Sequence, residues 1–563
     1  MKRGTFSFFA CLFCLVAFPS GQSAGRGPTG GSLDRLVRSR EALRGNAGAL
    51  RRATGSGLDG KCGLGLALAI RDNWSSFSSD QKRRLQAVLE PPPTQKSRIL
   101  GRFRIFYDTT GFHAPALLAG GSIRIPNSYE AYVDSVGAAF NHVWEYEIGV
   151  LGYDEPPFEF GQDSYNIYVQ ELGQSLYGLT QDVEQIPGGG PPRYTSYIEI
   201  DNDFLGFFSA GIAGLQVTAA HEFHHAIQLG AYGYWGTSDV YFLEITSTWM
   251  EDVVFDEVND YYQYLETLSG SPLGQFLTPD ISFTLSDPSV EYSRAVWGKF
   301  IEKRFSRDVM RRSWEAIRSV PAFPALDIAL TAAGSSFRSA FLEFSYWNFR
   351  TGTNADTANF YTEGKSYPDI AMRAEVSYIP PGLAIADSVG AVSSAYHPIR
   401  LPQGSMIAII SNLNGSLAGS LSRFGFVYSL GESSSGGAKQ LSNGLYAALI
   451  VGDPRNWSSQ ETVPSVVPEV VVFPNPFSPK ENKPLKFRLP SASQPTARLD
   501  IFRSSFDRVF SGDRPVIQLR PLEPGIEWDG HDTDRDAVGT GVYFFVISVD
   551  DREYTGKFTV IKE

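Results

Sequence analysis

The rhythm of apolar and polar residues changes several times along the chain and divides it into segments. Lys2 and Arg3 precede an apolar run from Phe6 to Phe18, which gives way to small and polar residues ending at Ser23 and Ala24. A basic start, a short apolar run and a small-residue end predict an export signal over residues 1–24, because the run is too short to span a bilayer. Leu33, Leu36, Val37 and Leu43 then fall near a helical spacing, as do Leu85, Val88 and Leu89, until Pro91–Pro92–Pro93 stops the pattern. From Arg102 the texture changes: Phe103, Ile105 and Tyr107 alternate as in a strand. A long amphipathic helix is predicted over Tyr129–Val150, and further strands over Tyr165–Gln170 and Thr195–Ile200. Helical patterns continue to about residue 350. Beyond about residue 385, alternating segments dominate (Met406–Ile410, Gly425–Tyr428, Tyr446–Val451), followed by a Ser/Pro/Val-rich linker, Ser458–Glu469, and short strands from Val470 onward.

The expected organisation is therefore multidomain. It comprises a signal over 1–24, a basic leader or propeptide over 25–100, an α+β domain over 101–385, a β-rich domain over 386–466 and a β-sandwich over 467–563. A 42% apolar and 13% aromatic composition is ample for several buried cores and excludes general disorder. The net charge of −12 is unevenly spread: residues 25–104 carry 16 Lys/Arg against 6 Asp/Glu, which leaves −24 on residues 105–563. Either the leader pairs electrostatically with the acidic body, or it is a solvated basic linker. So acidic a body argues against a nucleic-acid partner. Cys11 and Cys14 fall within the signal, so an exported chain would keep Cys62 alone and form no internal disulfide. After signal removal no transmembrane segment is expected, which predicts a secreted, extracellular or cell-surface protein.

The chemistry concentrates in Thr218-Ala-Ala-His221-Glu222-Phe223-His224-His225-Ala226, which contains H-E-x-x-H. Residues four apart on a helix share a face, so His221 and His225 can present imidazole nitrogens to one ion, with Zn²⁺ the expected metal. Glu222 lies within reach of a water at that metal and is the candidate general base. A third histidine six residues beyond His225 is excluded, because that position is Ala231. The remaining route is a carboxylate on the following helix, where Glu244 is the first choice, Glu251 the second, and Asp252 a candidate to orient a ligand histidine. His224 reads as a partly exposed or supporting histidine. The strand Thr195–Ile200 is a candidate sheet edge for holding an extended peptide. Tyr292 is a possible transition-state donor but more simply a packed core tyrosine. Asp201-Asn202-Asp203 suggests a turn, or, on weaker grounds, a Ca²⁺ site. Cys62, in Lys61-Cys62-Gly63, is either an ordinary buried cysteine or a thiolate that holds the zinc latent.

With these residues in view, the chain resembles a bacterial family of secreted metalloproteases typified by an uncharacterised myxobacterial protein. The resemblance runs through most of 60–310. It rests on Lys61-Cys62-Gly63, Arg102–Thr110, Thr195–Asp203, Thr218–Ala226 and Trp249-Met-Glu251-Asp252. It implies a zincin-like, gluzincin-type unit with His221, His225 and Glu244 on zinc and Glu222 as base, acting on protein or peptide substrates as an endopeptidase. At the C-terminus, Val472–Phe477, Trp528-Asp529-Gly530, Gly541-Val542-Tyr543 and Gly556-Lys557 resemble Ig-like domains of flagellar hook caps and of type IX sorting modules. That resemblance implies contact with bacterial secretion or surface-attachment machinery. The competing reading is a surface-binding, adhesive β-protein with a degenerate or structural metal site.

Overall fold

The computed structural model describes residues 30–44 and 61–562, apart from 174–175, 266–273, 288–289, 379–381, 402–404, 414–420, 430–436, 443–444, 452–464, 467–469, 480–482, 490–491, 504–506, 521–522 and 551. The signal predicted over 1–24, and most of the predicted linker, lie outside the described residues. Among the described residues no helix is long and apolar enough to cross a membrane. The chain is a multidomain protein of mixed α and β structure.

Three leader helices, α1 (Gly30–Arg44), α2 (Leu64–Asp72) and α3 (Ser79–Leu89), close on a small core of Leu33, Val37, Ile70, Phe77 and Leu85. A five-stranded sheet follows, made of β1 (Lys96–Leu100), β2 (Phe103–Tyr107), β3 (Tyr165–Gln170), β4 (Gly178–Ile186) and β5 (Arg193–Asp201), in the order β1-β2-β3-β5-β4. β2, β3 and β5 are parallel, while β1 and β4 run antiparallel to their neighbours. The sheet thus begins inside the range assigned to the leader. Leu100 pairs with Phe103 across a two-residue turn, and Gly101 there has φ +62°, which favours glycine. The expected sheet edge is also displaced: Thr195–Ile200 lies within β5, an interior strand, and β4 forms the edge. Gln181, Asp182, Glu184 and Gln185 break the apolar alternation of β4, so its sequence does not read as a strand.

Helix α4 (Tyr129–Trp144) continues into a π-helical turn, Glu145–Val150, and packs one apolar face on the sheet. Helices α5 (Ile212–Ile227) and α6 (Val240–Val254) pack on each other and are buried almost all round, as expected of helices passing through a core. Phe223 sets the rotation of α5, because its ring meets Phe103, Trp144 and Tyr165 at centroid distances of 5.8, 5.2 and 6.3 Å. Residues two apart on a helix point to nearly opposite sides, so this anchor turns His221 and His225 away from the aromatic cluster and toward α6.

The β-rich unit starts before the expected boundary at residue 385. The strand Gly382–Gly390 crosses that point, and Val376–Ser377 already pairs with Ile399–Arg400. At the C-terminus two four-stranded sheets enclose Leu485, Phe487, Leu499, Ile501, Trp528 and Phe558 in a core of their own.

Candidate metal centre

The side-chain geometry converges on three donor atoms. His221 Nε2 and His225 Nε2 lie 3.0 Å apart, and Glu244 Oε2 lies 3.2 Å from the first and 3.5 Å from the second. A tetrahedral ion with bonds of about 2.0–2.1 Å holds its ligand atoms about 3.3 Å apart, so the three donors fit zinc. All three side chains are buried, and Glu244 Oε2 has no hydrogen-bond partner of its own. A buried carboxylate oxygen left without a donor is costly unless a cation completes it. Cys62 Sγ joins the set, with the four donor atoms within 4.8 Å of one another.

The outer nitrogens of both imidazoles are fixed. His221 Nδ1 lies 2.7 Å from Glu251 Oε1, and His225 Nδ1 lies 2.7 Å from Gln228 Oε1 and 3.0 Å from Ser247 Oγ. Gln228 Nε2 donates to the Leu243 carbonyl at 3.1 Å, which settles which end of its amide accepts. With an acceptor at each Nδ1, each ring can keep a proton there while a cation takes its Nε2 lone pair. Glu251 thus faces the outer nitrogen of His221 and lies outside the converging donor set. The orienting role expected of Asp252 is not observed, because one residue along α6 is a rotation of about 100°. Asp252 points instead to Lys299, which also meets Glu363 at 3.2 Å.

Electrostatics favour a cation here. Burial opposes charge on His221, yet the carboxylates of Glu244 and Glu251, one facing each ring nitrogen, raise its pKa to about 9. Burial likewise opposes ionisation of Glu244, but the facing imidazoles of His225 and His221 hold its carboxyl below the ordinary range. Burial and the neighbouring Glu222 and Glu244 push the Cys62 thiol well up. A dication would invert that local logic and favour the thiolate.

Glu222 stands one residue from His221. Its Oε2 accepts from Thr180 Oγ1 of the edge strand at 2.7 Å, and the same hydroxyl also donates to the Glu222 carbonyl at 2.9 Å. Gly178 makes room for it: a Cβ at 178 would lie 2.7 Å from Glu222 Cγ and 2.9 Å from Thr218 Cγ2. Gly178→Ala should therefore displace Glu222 while sparing the histidines. The expected result is retained zinc with hydrolysis lowered about 10²-fold, as for misplacement of a reacting group by about 1 Å. Steady-state kinetics beside a zinc assay check this, and full activity would contradict it.

Other expected residues take definite places. His224 is fully buried on a flank of α5 rotated about 100° from His225, with Nδ1 2.7 Å from Glu147 Oε2 and its ring against Tyr153. It therefore has no part in the donor set and is not partly exposed. Tyr292 is both buried and at the centre: its ring lies 6.2 Å from that of His221, and its hydroxyl accepts the Cys62 N–H at 3.1 Å. Asp201 accepts from the N–H groups of Leu172, Asp203 and Phe204, and Asp203 pairs with Arg124. Three backbone N–H groups thus close this segment into the turn expected of it, and burial pushes the Asp201 carboxyl up to about 8. The sequence offers no signal for Thr180 or Ser247, whose roles come only from the packing of distant elements.

No family model matches the sequence, and no curated protein matches it. Solved structures give slight likenesses. A Legionella pneumophila aminopeptidase A, in complex with aspartic acid, shares 8% identity over 65% of this chain and 36% of its own, with a TM-score of 0.27. Dimeric latent PorU from Porphyromonas gingivalis shares 13% over 34% and 19%, at 0.14. PorZ, a bacterial surface component of the type-IX secretion system of the same organism, shares 18% over 16% and 11%, at 0.13. The chain spans well under two thirds of each of these structures. Likenesses this slight leave the function to the site itself.

Proposed function

We propose that the protein is a zinc-dependent endopeptidase with a zincin-like catalytic unit, and that it is exported and acts on protein or peptide substrates outside the cell. The convergence of His221 Nε2, His225 Nε2 and Glu244 Oε2 within 3.5 Å, with Glu222 held beside them at an edge strand, carries this reading. When bound, zinc supplies Lewis acidity, polarising a peptide carbonyl and bringing the pKa of a water to about 7. His221 and His225 hold their tautomers through Glu251 and Gln228, so their lone pairs stay aimed inward. Glu222 takes a proton at its carboxylate and returns it to the leaving amine. Thr180, donating to Glu222 Oε2, restrains that carboxylate as the proton moves. The outer edge of strand β4, where Gly178 now pairs with Lys61–Gly63, is the line along which an extended peptide would pair. The protein should bind about one zinc per chain, as a single catalytic site requires. A chelator should remove the zinc and the hydrolysis of casein together, and added zinc should restore both. Casein hydrolysis that outlasts the metal would contradict the reading.

The competing reading, a surface-binding protein with a structural metal site, draws on the fourth donor. A closed set of Cys, two His and Glu is the pattern of a structural zinc, whereas a catalytic zinc keeps one position open. The C-terminal sandwich is assigned to sorting or surface attachment through its sequence resemblance. Deleting residues 470–563 should impair secretion or surface retention, followed by fractionating cells and medium. Unchanged distribution would count against this role.

A further inference from the structure

The segment Lys61–Gly63 lies along the free edge of β4. The Tyr177 N–H donates to the Lys61 carbonyl at 2.9 Å, the Gly63 N–H donates to the Gly178 carbonyl at 3.2 Å, and Cys62 bridges Gly178 in parallel. A peptide held by β-pairing to this edge would use the same backbone groups. The Cys62 N–H is also taken up, by Tyr292, and the side chain turns inward to the three metal donors. Glu244 Oε2, buried and without a hydrogen-bond partner, faces the same point, so the cysteine is one of four converging groups.

The segment is also anchored. Lys61 Nζ lies 2.5 Å from Glu251 Oε2 and 2.5 Å from Asp260 Oδ2, with all three side chains buried, and 4.6 Å from the centroid of the Tyr177 ring. Glu251 therefore joins the anchor to the metal centre, holding Lys61 with one oxygen and His221 with the other. Gly63 permits the close approach, because a Cβ there would meet Leu179 Cδ1 at 2.8 Å. Farther out, Arg71 of α2 lies 3.1 Å from Asp182 of β4, and Arg40 of α1 lies 3.7 Å from Glu199 of β5. The basic leader thus pairs with acidic residues of the body, and with Cys62 its only cysteine no disulfide ties it there. Glu90, Pro91 and Pro93, which lead from the leader helices to β1, are exposed.

We infer that Lys61–Cys62–Gly63 is an intramolecular latch, in which Cys62 fills the fourth ligand position of the metal while the backbone beside it occupies the peptide edge of β4. The inference rests on the peptidase reading and adds its regulation. Withdrawal of the leader frees the Tyr177 N–H and the Gly178 carbonyl at the start of β4 and takes the Cys62 side chain away from the three donors.

Cobalt in place of zinc tests this in the full chain, because a thiolate ligand gives Co²⁺ a sulfur-to-metal charge-transfer band in the near ultraviolet. The full-length protein should show the band. Cys62→Ser and Cys62→Ala should lose it at unchanged cobalt content, and in their zinc forms both should hydrolyse casein about tenfold faster or more, as for release of a blocked state. A full-length protein that binds cobalt without the band, or that hydrolyses casein as fast as both variants, overturns the latch alone. A band that behaves as expected, with no hydrolysis by any of the three proteins, overturns the peptidase reading and the latch with it.

Discussion

In the Cys62→Ser background, Glu222→Gln should lower peptide hydrolysis by about 10²–10⁴-fold, the usual contribution of a positioned general base. The substitution preserves shape, and a glutamine carbonyl oxygen can still accept from Thr180, as Glu222 Oε2 does at 2.7 Å. Glu222 is outside the three-donor set, so zinc content should stay the same. Using the Cys62→Ser parent keeps the thiol from masking the loss. Hydrolysis rates and zinc content measured on the same preparation check both halves. Retained hydrolysis would show that Glu222 does not move the proton, and lost zinc would show that it helps hold the metal.

The second large effect separates two glutamates on one helix. In the Cys62→Ser background, Glu244→Ala should abolish stoichiometric zinc binding, because it removes one of the three remaining inward donors and leaves two histidines without the carboxylate between them. Glu251→Gln should weaken zinc binding by about 10–100-fold, the usual effect of changing a residue that orients a ligand. A glutamine at 251 can still accept from His221 Nδ1, but it no longer bears the charge that faces Lys61 at 2.5 Å. The latch should loosen as well. Zinc affinities from competition with a chromophoric chelator check the order. An equal loss in both variants, or a larger one at Glu251, would reverse the assignment of the third ligand.

How far the site could be read from sequence depends on how local each relation is. His221, Glu222 and His225 sit within five residues, so helical spacing alone places two imidazoles on one face. Glu244 needs one further step, a second helix folding back, and the turn-rich stretch before it marks that step. Choosing between Glu251 and Asp252 requires the rotation of α6, which is set by packing and not by spacing. The edge strand escaped for a related reason. Its alternation is broken by Gln181, Asp182, Glu184 and Gln185, and its first residues are buried against α5 and the leader. Cys62 was legible as a candidate, but its partners lie 159 or more residues away in sequence, so only the folded chain brings it to His221. Lys61 carried no signal at all, because a single lysine in a basic leader reads as solvated charge.

The most direct test of the metal centre is diffraction from crystals of the zinc-loaded full-length protein, recorded on both sides of the zinc absorption edge. One anomalous peak should lie about 2.0–2.2 Å from His221 Nε2, His225 Nε2 and a carboxylate oxygen of Glu244, and about 2.3 Å from Cys62 Sγ. A peak elsewhere, such as among Asp252, Asp256 and Glu363, or no peak in zinc-saturated crystals, would contradict the assignment.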